Sequence, residues 1–305
     1  MVGQLALAVA LGLWADAPGP KFYPDDPLLV EPKPRSAEGA RRRKLSDIYD
    51  LFLHTFGKPG EEQLPGKPIP ARAVNTLGEA MDSAWYTNRH YRRRMSIAEL
   101  VRGAGDGNAP STEGLWRVLE AKGEGVTPGF LILEAKGRRY LLKFDPTTNP
   151  EMATAADVVG SKFFHALGYH VPEYYIVKFR RGQLTIDPKA KISDAEGRER
   201  PMTGMDVDEI LRKAPRESRD EFRATASYYL AGSPLREFRY YGIRRDDPND
   251  VVPHEHRRDL RGLFVFCAWL GHNDAKSLNS QDSLVDDGHL RYIRHHLIDF
   301  SGILG

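Results

Sequence analysis

Three short runs, WRVLEA at Trp116–Ala121, FLILEA at Phe130–Ala135 and RYLLKF at Arg139–Phe144, stand so close together that little else can fold between them. Aromatic, Val, Ile and Leu residues recur in each, the signature of strands on a half-buried pleated surface. A turn around Lys136 and Gly137 joins the last two. So short a link returns the chain antiparallel, because parallel neighbours need a crossover of about a dozen residues or more. KGEGVTPG joins the first two, and its glycines suit a hairpin turn. The region therefore has to open as an antiparallel sheet.

The next segment changes period. In NPEMATAADVVGSKFFHALGYHVP, the residues Met152, Ala156, Val159, Phe163 and Leu167 fall on one face, with Gly168 and Pro172 as stop signals. This predicts a helix of about four turns. EYYIVKF reads as another strand, and FRATASYYL alternates, with Phe222, Ala224, Ala226, Tyr228 and Leu230 to one side. Between them lies an insertion near 181–220 with a short helix around Val207 to Lys213. After AGSPL and a loop-rich stretch, RRDLRGLFVFCAWLG predicts a buried apolar helix. The order implies an α+β fold with a sheet-rich first part, 111–231, and a mainly helical second part, 232–305.

The residues before this are of another kind. An apolar core from Leu5 to Trp14, followed by Ala15-Asp16-Ala17, has the form of a signal peptide over 1–17 and implies export to the periplasm or beyond. No Lys or Arg precedes that core and Pro18 would follow the cut, so a buried N-terminal helix or a misplaced start is the alternative, with a cytoplasmic location. The core is too short to span a bilayer, which takes about 20 apolar residues. Residues 18–110 form a proline- and charge-rich extension with short helices, one of them in LSDIYDLFLHTF, where Ser46 can cap and Ile48, Leu51, Phe52 and Phe56 have helical spacing.

Composition narrows the partners. With 41% hydrophobic residues in 305 the chain can build a core, and its charges nearly cancel at +2, which argues against nucleic acid or an anionic membrane as the main partner. Arg41-Arg42-Arg43-Lys44 and Arg92-Arg93-Arg94 read as solvated faces. The single cysteine, Cys267, excludes a disulfide framework and fits a small buried hydrophobe. His254, His256, His295 and His296 read as loop and strand residues, since no convergent acidic set accompanies them.

The chemistry gathers near the C-terminus. GHNDAKSLNSQD at 271–282 holds His272, Asp274, Lys276 and Asn279, and HHLIDFSG places Asp299 after a β-type run. Phosphoryl transfer asks for such a set: a carboxylate at the attacking hydroxyl, oxygen ligands for metal on the phosphates, and cations against developing charge. The loop resembles the protein-kinase catalytic loop H-R-D-x-K-x-x-N, with the Asp-to-Asn interval matching, and Asp299-Phe300 resembles the D-F-G pair. The chain is thus similar to the protein-kinase-like superfamily, closer to the atypical bacterial HipA-like and aminoglycoside-phosphotransferase-like kinases. It also resembles an uncharacterised group of bacterial exported proteins. The resemblance covers roughly Gly114 to Gly305.

That resemblance implies a two-lobed fold, ATP with Mg2+ or Mn2+ as cofactors, and an unidentified phospho-acceptor as partner. It implies catalytic roles for Asp274, Lys276 and His272, with Asn279 and Asp299 as metal ligands. Lys143 would grip the α- and β-phosphates, paired with Asp157 or, at the helix start, Glu151. Gly123, Gly125 and Gly129 would cover the phosphates, although a hairpin turn explains them as well, and LAGSPL would be the hinge. Three departures matter. Asn273 stands where many regulated kinases have arginine, Ser301 replaces the glycine of D-F-G, and the chain stops at Gly305, where a truncated C-lobe is the expectation. A pseudokinase binding module and a structural envelope protein are the rival readings.

Overall fold

The computed structural model describes residues 31, 33–60, 66–122, 127–193 and 198–304. The signal-like segment 1–17, Gly123, Gly125 and Gly305 lie outside them. The fold is α+β, and its centre is a seven-stranded sheet with one helix on each face.

The strands are β1 (Trp116–Ala121), β2 (Gly129–Leu133), β3 (Arg139–Lys143), β4 (Tyr174–Arg180), β5 (Leu184–Ser193), β6 (Glu199–Pro201) and β7 (Glu221–Tyr228), in the order β4-β7-β3-β2-β1-β5-β6. β1, β2 and β3 pair antiparallel, as the short links require. The β2–β3 turn is built round one buried carboxylate. Glu134 accepts hydrogen bonds from the backbone of Ser111, Lys136 and Arg138 and from Arg138 Nε. Burial alone would raise its pKa, but these donors outweigh it and hold the carboxyl below the ordinary value. β5 belongs to the insertion and runs parallel to β1, extending the sheet beyond what the alternation of the sequence indicated.

Two short helices, α1 (Asp47–Phe52) and α2 (Ile97–Arg102), precede the sheet and begin at serine caps: Ser46 accepts from the Tyr49 amide, and Ser96 forms a capping box with Glu99. The apolar face expected of α1 is not buried; Ile48, Leu51, Phe52 and Phe56 are all exposed. α3 (Met152–Leu167) has the expected four turns and ends at Gly168, but it buries a different face. Ala153, Ala156, Asp157, Gly160 and Phe164 face inward, while Met152, Val159 and Phe163 stay exposed. The reason is steric: a Cβ on Gly160 would come within 2.5 Å of Ile303 Cδ1 and 2.7 Å of Phe300 Cβ, so this contact admits only the small-residue stripe.

α4 (Gly204–Arg212) covers the other face through Val207 and Leu211, which pack with Phe179, Phe222 and Ala224. α5 (Arg258–Leu270) buries Leu263, Cys267 and Leu270, yet leaves Phe264, Val265 and Trp269 exposed, so only one side of this helix is covered. Beside it the second half holds a three-stranded sheet of β8 (Ser233–Arg236), β9 (Ser280–Asp286) and β10 (Arg291–Leu297). Under that sheet Asp282 accepts from Arg244 and pairs with His295, each at 2.7 Å, and Trp85 stacks on His295 at 3.5 Å. The described part of the N-terminal region is therefore laced to the body: Ala84 accepts from the His295 amide, Thr87 donates to Gly168, and Arg72 bridges Arg257. No helix among the described residues is long and apolar enough to cross a membrane.

Candidate active site

Lys143 ends β3, between Gly129 on β2 and Thr225 on β7, and is 5% exposed. A lone ammonium buried this deeply would lose its charge. It does not stand alone. Its Nζ lies 2.7 Å from Asp299 Oδ1 and 3.4 Å from Asp157 Oδ2. Burial works against the charge, but Asp157, Tyr174 and Asp299 more than offset it and raise the lysine well above its ordinary pKa. Between the two candidate partners the geometry chooses Asp157 on α3; Glu151 forms the left-handed N-cap of that helix and is exposed.

Asp157 has a second contact. Its Oδ1 accepts from the Phe300 amide at 2.8 Å, so one buried carboxylate joins β3, α3 and the turn that carries Asp299. Burial dominates at Asp157 and raises its pKa, whereas Asp299, also pushed up by burial, is pulled down to about 2 by Lys143 and Ser301. Asp299 has the shorter bond to the shared ammonium. Its backbone sits at φ 61°, a left-handed conformation that a non-glycine residue adopts at a cost of ~1 kcal/mol or more. Three bonds hold it there: its amide donates to the Tyr174 hydroxyl, Phe300 is tied to Asp157, and Ser301 Oγ donates to Asp299 Oδ1. Phe300, fully buried, stacks on Phe164 at 5.1 Å.

The loop from α5 begins where Gly271 ends the helix at φ 64° and the His272 amide turns back to Cys267. His272 is buried beside the rings of Phe164 and Phe300, with Nδ1 unpartnered, and burial lowers its pKa. Asp274 and Lys276 are exposed and lie 3.3 Å apart. Asn279 Nδ2 donates to the Asp274 backbone at 2.7 Å and to its carboxylate at 2.9 Å. That commits the amide nitrogen and leaves the side-chain oxygen as an acceptor. The loop and the Asp299 turn touch at both ends: the Ile298 amide donates to Asn279 at 3.1 Å, and a Cβ on Gly302 would lie 3.5 Å from Asp274 Cβ.

The structure thus brings Lys143, Asp157 and Asp299 into direct contact and sets the Asp274–Asn279 loop against the same turn. Gly129 lies within β2, where a Cβ would meet the Leu142 carbonyl at 2.1 Å, so close strand packing already accounts for that glycine. LAGSPL leads into β8 and connects the two sheets. Three further groups escaped sequence reasoning. Tyr174 and Thr225 reach the cluster from strands far apart in the chain, and nothing local marks them. Lys122 precedes the glycine run, bonds to Thr127, and its charge helps to lower the Asp299 pKa.

A cavity of about 880 Å3 lies elsewhere, between the N-terminal region and β10, lined by Trp85, Asp250 and His295 among others. None of Lys143, Asp157, Asp274, Asn279 and Asp299 lines it, and acidic and basic groups are mixed along its wall.

No protein-family model and no curated protein matches the chain. Among solved structures, it is similar to a crystal structure of the Golgi casein kinase, with 12% identity and a TM-score of 0.34 over 91% of this chain and 76% of that one. A likeness so distant adds no weight to the geometry. The functional reading stands on the side chains.

Proposed function

We propose that the chain is an ATP-dependent phosphotransferase with a protein-kinase-like arrangement, moving the γ-phosphate to a hydroxyl of an unidentified acceptor. The observation that carries this is the buried Lys143 held between Asp157 and Asp299, with the Asp274–Asn279 loop backed onto the same turn.

The donor chemistry fits the cofactors. Mg2+ and Mn2+ take hard oxygen ligands, and Mg2+ is held by one or two carboxylates together with substrate phosphates. Asp299 and the side-chain oxygen of Asn279 would be such ligands, and among the described residues no group of three or more His, Cys, Asp or Glu could hold a metal unaided. When bound, the metal would neutralise charge on the transferring phosphates. Lys143 would bind the α- and β-phosphates, and Lys276 would lie near the transferred group. Asp274 would orient the acceptor hydroxyl and take its proton, and His272, packed against Phe300, would position the loop rather than touch the reactants.

A pseudokinase is the second reading, favoured by one feature: Asp299 Oδ1 accepts from both Lys143 and Ser301. The two separate on Asp274→Asn. In an enzyme, this change lowers autophosphorylation or ATP hydrolysis roughly 100-fold or more while nucleotide affinity stays within about threefold. Equal turnover by parent and variant would remove Asp274 from the reaction.

A further inference from the structure

A second concavity, of about 500 Å3, opens at the base of the insertion and is lined by Arg180, Arg181, Arg212, Arg216 and Arg219, with Asp208 and Asp220 as its acidic members. Solvated arginines normally spread apart, since gathering like charges in a concave site raises their mutual repulsion. Here three separate pieces of chain contribute five arginines to the lining of one hollow: the β4–β5 turn, the last turn of α4, and the tight turn 216–222. Leu211 and Phe222 supply an apolar floor.

Two of the five are fixed. Arg181 pairs with Asp208 and donates to the Leu184 carbonyl at 3.2 Å. Arg216 donates to the Arg219 carbonyl at 3.1 Å and lies 5.5 Å over the Phe222 ring. Among the described residues, Arg180, Arg212 and Arg219 have no carboxylate partner. Five arginines against two aspartates leave the hollow clearly cationic. Guanidinium groups match planar and tetrahedral oxyanions bidentately, and a volume in this range suits a small ligand.

The hollow is independent of the site proposed above. Phe222 faces α4, whereas the next residue, Arg223, reaches Asp145 and Thr154 on the α3 side, where Thr225 also meets Asp157. The sheet therefore separates it from Lys143. We infer that this arginine-lined hollow is a binding site for a phosphate-type polyanion, carried on a small phosphorylated molecule or on a phosphorylated residue.

The test is calorimetric titration of the full chain, without divalent metal, with inorganic pyrophosphate in one arm and a phosphoserine peptide, against its unphosphorylated form, in the other. The variant is Arg212→Gln with Arg219→Gln, both exposed, with unfolding and ATP binding as controls. Binding of either phosphate probe that weakens tenfold or more in the variant, and weakens in the parent between about 50 and about 200 mM salt, supports the site. The arm that responds tells free from protein-borne phosphate. Failure of both probes to bind the parent, or equal binding by parent and variant, overturns the inference.

Discussion

At Lys143 one ammonium faces two carboxylates, and the asymmetry between them sets what each can do. Asp157 is 1% exposed and serves the fold, whereas Asp299 keeps partial access to solvent and has the lower pKa. The folded-state pKa of Asp299 lies near 2, below its ordinary 3.8, so its contribution to stability is fully present above about pH 4 and is lost as the pH falls through about 2. A carboxyl-carbon NMR titration should accordingly show Asp299 unchanged from about pH 7 down to about 3; a midpoint near 4 would mean that Lys143 does not hold it. Gly160 tests the neighbouring contact. Gly160→Ala drives a Cβ into Ile303 and Phe300, and should cost about 1–3 kcal/mol in urea unfolding and weaken nucleotide binding with it. An unaffected midpoint would show that the turn can shift freely. At this scale Asp274, Asn279 and Asp299 were legible by motif spacing and Lys143 by its place on the third strand. Tyr174 and Ser301 were not, since their roles come from distances that exist only after folding.

Elements were legible where their pattern is apolar and local. β1 to β3, the span of α3 and the Ser46 cap follow from alternation, helical period and cap chemistry. β9 was missed because its buried residues include Ser280, Asp282 and Ser283, whose polarity is matched by Arg244, His295 and backbone groups rather than by apolar neighbours. The buried face of α3 was misread for the converse reason: where Phe300 and Ile303 press on Gly160 size selects the residue, so Ala153, Ala156, Asp157 and Gly160 face inward with Phe164, and Met152, Val159 and Phe163 are left outside. The β2–β3 turn shows how much a single polar group can organise. Glu134→Ala removes the acceptor of several donors at once and should destabilise the protein by about 3 kcal/mol in denaturant unfolding. A loss below about 0.5 kcal/mol would mean that water replaces the carboxylate without cost.

For the whole molecule, the decisive feature is how the N-terminal region joins the rest. Trp85 is 6% exposed, stacks on His295, meets Phe238 edge-on and lies beneath the Arg257 guanidinium. Composition marks 18–110 as a proline- and charge-rich extension; contacts between residues distant in sequence place Trp85 in the core, and such contacts leave no local signal. Trp85→Ala should cost about 3–5 kcal/mol and lower the melting midpoint in a single transition. A separate early transition would instead make residues 66–110 an independent unit. The large sheet and α3 hold Lys143, Asp157 and Asp299 together, and the Asp274–Asn279 loop is backed onto the same turn. The measurement that tests this most directly is the thermal midpoint with ATP and Mg2+ or Mn2+, in the parent and in Asp299→Ala. Nucleotide and metal together should raise the parent's midpoint, and the rise should vanish in the variant. No rise with either metal, or a rise that survives the loss of Asp299, would contradict the phosphotransferase reading.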